Sequence, residues 1–87
     1  MTSVTVPTVT SVADGRALLE DIDDRLMQLI AERRAVSRQV QELRIADGGS
    51  RVEHSRENAV IRRWSETLGD TGPELALAVL AHCRGRT

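Results

Sequence analysis

DGRALLEDIDDRLMQLIAERRAVSRQVQELRIAD, residues 14–47, holds no proline and only one glycine, near its start. Leu19, Ile22, Leu26, Leu29, Arg33, Val36, Val40 and Leu43 recur through it at steps of three and four, the spacing of one face of an α-helix. That face is apolar except for Arg33. At ~1.5 Å of rise per residue the helix spans about 45–50 Å. An 87-residue monomer cannot cover a stripe of that length, so the seam predicts a second helix from another copy of the chain. The arginine set into it predicts a polar site to which both chains contribute.

The rest of the composition agrees with helices. The hydrophobic content is 40%, yet aromatic content is 1% and Trp64 is the only ring, so burial rests on Leu, Ile, Val and Ala. A single core in a chain this short is marginal without an oligomer, a metal or a disulfide to add to it. Cys83 is alone, which excludes an intrachain disulfide, and His54 and His82 lack a zinc spacing. The net charge of −1 offers no basic field for nucleic acid. No segment reads as a secretory leader or reaches membrane-spanning length, and a cytoplasmic protein is the expectation. All twelve basic residues are arginine. Codon usage in a GC-rich genome accounts for this as well as sites that grip carboxylates in fork geometry, and position decides between them.

Taken in order, residues 1–12 read as a disordered Thr/Ser/Val tail and residues 13–87 as one helical domain. Ser11, with Asp14 three residues on, or Asp14 itself, caps the first helix. Acidic residues crowd the first half of that helix and arginines the second, which favours the helix dipole and an antiparallel partner copy. Gly48-Gly49 ends it. Ser50 with Glu53 forms a capping-box pattern for a second helix running to about Thr67, with Ser55 as a later start. Glu57, Ile61, Trp64 and Leu68 share one stripe of it, with Arg56 and Val60 beside them. GDTG, residues 69–72, is a turn, Pro73 opens a third helix, and ELALAVLAHC is apolar nearly all round and expected to be buried, with RGRT leaving it as a tail. The fold class is all-α: three helices, the first long, in an intertwined antiparallel homodimer.

Four arginines stand out by position: Arg16, Arg33, Arg44 and Arg56. Arg33 and Arg44 project from one helical face with ~16 Å of axis between them, and Val36, Ser37 and Val40 leave a hollow there. Arg16 is ~25 Å from Arg33 along the same helix and cannot reach it within one chain. In an antiparallel dimer crossing near Leu26, Arg16 of one chain lies beside residues 33–40 of the other. Glu57, and with it Glu53, are too few acids to neutralise such a cluster, so an anionic ligand, most simply a dicarboxylate, explains it better.

AERRAVSRQVQELR (residues 31–44), the doubled glycine before SRVEHSRE (50–57), and Arg16 seventeen residues ahead of Arg33 resemble the all-helical chorismate mutases. GGSRVEHSRE and the terminal RGR are most similar to the short actinobacterial subgroup, and the likeness spans about residues 14–86. The resemblance implies a cofactor-free rearrangement of chorismate to prephenate in phenylalanine and tyrosine biosynthesis. It makes Arg33 and Arg16 of the partner subunit the grips on two carboxylates, Arg44 the donor to the ether oxygen, and Glu57 the acceptor for the ring hydroxyl. Arg56 matches a supporting cation, while Glu53 and Cys83 fall on the substrate-facing wall. The chain departs from the family in having no Gln after Gln41 and in carrying Cys83 where a small or hydroxyl residue is usual, which implies low intrinsic activity. The resemblance also implies docking on 3-deoxy-arabino-heptulosonate 7-phosphate (DAHP) synthase, with Arg84 to Thr87 as the responsive segment. Two alternatives stand beside it: an isochorismate-pyruvate lyase of the same fold, and a non-catalytic helical dimerisation module.

Overall fold

A computed structural model describes residues 5–49 and 53–85. Helix α1 runs from Val12 to Ala46. Its N-cap is Ser11, in extended backbone, whose hydroxyl accepts the Asp14 N–H at 3.1 Å. This satisfies one of the donors that every helix start leaves unpaired. At the other end Gly48 takes φ 85°, and the Gly48 and Gly49 N–H groups donate back to the Ile45 and Arg44 carbonyls at 2.9 and 2.8 Å. The doubled glycine thus reverses the chain while pairing the last carbonyls of the helix.

Helix α2 spans His54–Leu68, and a single 3-10 turn, Gly69–Thr71, joins it to α3, Gly72–Arg84, with Pro73 in the first turn. The capping-box expectation is corrected here. Glu53 is itself the N-cap of α2 rather than a residue of its first turn, and its side chain makes no cap hydrogen bond but lies 3.7 Å from Arg44. Ser50 lies outside the described residues.

Helix α3 packs on both α2 and α1, whereas among the described residues the backbones of α1 and α2 do not come close to each other. The start of α3 folds against Trp64 and Ser65, so close that a Cβ on Gly72 would lie 2.7 Å from the Trp64 carbonyl carbon and 2.8 Å from the Ser65 Cα. Only a hydrogen fits there. Gly72→Ala is expected to force α2 and α3 apart at a cost of about 1–3 kcal/mol. In a thermal melt it should lower the midpoint by several degrees; an unchanged midpoint would contradict this packing.

Within one chain the core is small. Among the described residues the buried apolar side chains are Ala76, Leu80 and Cys83, one stripe of α3. Leu75 and Leu77 of the same helix are about half exposed, at 48% and 53%. Within a single chain, α1 and α2 therefore cover one side of α3 only. The seam of α1 is equally uncovered, for Leu19, Ile22, Leu26, Leu29, Val36, Val40 and Leu43 are all exposed. The Cα radius of gyration is 16.3 Å. A compact chain of this length has about 12 Å. No described helix is long and apolar enough to cross a membrane.

Candidate active site

Because α3 holds α1 and α2 apart, an open cleft of about 260 Å³ lies between them, with α3 as its floor. From α1 it is lined by Arg33, Val36, Ser37, Val40, Gln41 and Arg44. This is the face on which the long and small side chains alternate at helical spacing. From the start of α2 come Glu53, Arg56, Glu57 and Val60, and from α3 come Leu80, Cys83 and Arg84. The structure thus brings together Arg33, Arg44, Glu53, Arg56, Glu57 and Cys83, and it leaves Arg16 outside. Arg16 is exposed near the start of α1, far along the helix.

Four arginines face two glutamates across this small space. Glu53 reaches over the interhelical loop to Arg44, with 3.7 Å between Oε2 and Nη2. The glutamate is 55% exposed, so the bridge is weak as a source of stability, but it draws Arg44 toward the cleft. Gly49 lies against the stem of the same arginine, and a Cβ there would come within 2.7 Å of the Arg44 Cγ. The second glycine of the pair therefore has a separate use, which is to let the backbone at Gly49 lie against the Arg44 stem.

Glu57 is engaged more tightly. The Nη1 of Arg84 donates to both of its carboxylate oxygens, at 2.6 and 2.7 Å. Sequence reading placed Arg84 in a departing tail; it is instead the last residue of α3, and the chain leaves the helix at Gly85 with φ 70°. Arg86 and Thr87 lie outside the described residues. Gln41 was also passed over as a site residue, although its place three residues before Arg44 and four after Ser37 sets it on the same face. Cys83 is 1% exposed, so its thiol packs into the floor of the cleft as a small apolar group.

The arrangement is a cationic cleft with apolar walls and one carboxylate fixed at its edge. It suits a small, multiply anionic organic molecule that also carries a hydroxyl. Residues 16–81 match the family described as Chorismate mutase type II. The chain belongs to that family. Chorismate mutase relatives align over most of it: the intracellular chorismate mutase of Mycolicibacterium smegmatis is 37% identical over 82 residues, 94% of this chain and 79% of its own length. The protein of the same name from Mycobacterium tuberculosis is 41% identical over 71 residues, 82% of this chain and 67% of its own. A chorismate mutase from Corynebacterium glutamicum, solved in a non-covalent complex with DAHP synthase and a bound transition state analogue, superposes with a TM-score of 0.82. It is 29% identical, over 87% of this chain and 92% of that one. The chorismate mutase match includes Arg16, Arg33, Arg44, Arg56 and Glu57 and ends before Cys83 and Arg84.

Proposed function

We propose that the chain is an isomerase that rearranges chorismate to prephenate, working as a homodimer with two sites, each completed by Arg16 of the partner subunit. The observation that carries the reading is the cleft of four arginines and two glutamates in a chain of the Chorismate mutase type II family. Its excess positive charge complements a dicarboxylate.

In the reaction the ether C–O bond breaks as a C–C bond forms between the enolpyruvyl methylene and the ring. Electron pairs move in one cycle, so the protein supplies no nucleophile and moves no proton. What it can supply is conformation and charge. Arg33 and Arg16 of the partner subunit hold the two carboxylates, which keeps the flexible enolpyruvyl arm folded over the ring. Arg44 donates to the ether oxygen, where negative charge grows in the transition state. Glu57 accepts the ring hydroxyl, and Arg56 adds to the positive field at the mouth.

The dimer reading is supported by the uncovered seam of α1. Closing seven half-exposed apolar side chains contributes roughly 1 kcal/mol apiece. An antiparallel crossing near Leu26 brings Arg16 of one chain to the cleft of the other. Leu26→Glu would set two carboxylates against each other at that crossing and is expected to give a monomer by light scattering with chorismate consumption abolished. A dimer of normal activity would sink the crossing.

The solved complex of a relative with DAHP synthase supports the same kind of partner for this chain. The name of the mycobacterial relatives, intracellular chorismate mutase, supports a cytoplasmic setting. The assay for the whole reading is loss of chorismate absorbance with purified protein, with the product identified as prephenate. Consumption of isochorismate to pyruvate and salicylate instead would turn the reading to a lyase. A change in rate or Michaelis constant on adding the synthase of the same organism is expected, and none would remove the partner.

A further inference from the structure

We propose that Arg84 is a positioning residue: it fixes the Glu57 carboxylate in the orientation that reads the substrate's ring hydroxyl, so that this part of substrate recognition is set by the end of α3. The inference rests on the role given to Glu57 above. It concerns a residue beyond the end of the family match.

Glu57 sits in the first turn of α2, whose described backbone does not come close to that of α1. Arg84 is placed differently. Cys83 and Leu80, 1% and 7% exposed, anchor the last turn of α3 in the core. The Gly85 N–H, donating to the His82 carbonyl at 3.2 Å, closes that turn. The guanidinium therefore hangs from a rigid support. Its Nη1 lies between the two Glu57 oxygens at 2.6 and 2.7 Å, short charge-assisted bonds on side chains only 35% and 20% exposed.

Position on the carboxylate decides what is left for a ligand. One nitrogen shared by both oxygens occupies the inner side of the group, and a carboxylate has about four lone-pair directions. The outer ones still accept from a hydroxyl. Arg84 thus holds Glu57 without replacing the substrate, while the carboxylates and the ether oxygen fall to the arginines of the cleft, Arg33 and Arg44 among them.

The test compares chorismate with the analogue in which the ring hydroxyl is replaced by hydrogen, as substrates for the full-length wild type and for Arg84→Ala, Arg84→Gln, Glu57→Ala and the Arg84→Ala/Glu57→Ala double variant. Arg84→Ala is expected to lower kcat/KM for chorismate by about tenfold and to leave the deoxy analogue within about twofold of wild type. Arg84→Gln, which keeps an N–H donor on a side chain two atoms shorter, should recover at most a small part of the loss. The double variant should be no worse than Glu57→Ala, because the two residues act as one unit. Equal losses on both substrates would mean a merely structural role, and faster turnover by Arg84→Ala would mean that Arg84 competes with substrate; either overturns the proposal. Should Glu57→Ala itself leave the preference for the hydroxyl intact, the role given to Glu57 fails first. If Glu57→Ala abolishes the preference while Arg84→Ala retains it, only the positioning role of Arg84 is lost.

Discussion

Arg44→Ala is expected to lower kcat by about 10²–10³-fold, the usual cost of deleting one donor aimed at developing negative charge. The magnitude follows from what the reaction lacks: with no acid, base or nucleophile to share the work, stabilisation of the ether oxygen has few other sources. The fold should survive. The Arg44 side chain is 27% exposed, and its bridge to Glu53 is long and largely solvated, so the substitution empties no core. Arg44→Lys keeps a donor but loses the planar fork and should fall between the two. Stopped or continuous chorismate assays, with circular dichroism to confirm helicity, check this; near-normal turnover by Arg44→Ala would remove that residue from the chemistry.

A larger effect in kind is expected from mixing two dead enzymes. Arg16→Ala and Arg44→Ala homodimers should each be impaired in both sites. When the two chains are unfolded together and refolded, half of the dimers are mixed. In each of these one site combines Arg44 of one chain with Arg16 of the other and is intact, while the second site carries both lesions. Activity should recover to roughly a quarter of wild type, the statistical yield for a two-fold dimer with composite sites. Recovery no greater than the sum of the parents would mean that Arg16 serves its own chain, or none. The experiment needs no structure of the dimer. It reads directly whether the ~25 Å between Arg16 and Arg33 is bridged by symmetry.

Much of this arrangement is legible in the residues because the signals are local and periodic. The three-and-four spacing of Leu19 to Leu43 defines both a helix and a face, and Ser11 and Gly48-Gly49 mark its ends by the backbone groups they satisfy. Arg33 and Arg44 share the cleft for the same reason, being close to three whole turns apart. The start of α2 is less legible: the helix begins after Glu53, whose carboxylate lies 3.7 Å from Arg44 of another helix.

The sequence by itself determined the helical class, the long amphipathic α1, the glycine stop and the line of arginines that faces the cleft, since each depends on neighbours within a few turns. Only the tertiary structure decided that Arg84 rather than adjacent Arg56 holds Glu57, that α3 buries a single stripe within one chain among the described residues, and that Gly49 lies against Arg44. Glu57 and Arg84 are 27 residues apart, and their meeting depends on how α3 folds back along α2 from Gly72. Periodicity describes one element at a time. Which side chains meet across elements is set by the close approach of backbones, and a hydrogen in place of a methyl at Gly72 is what permits it.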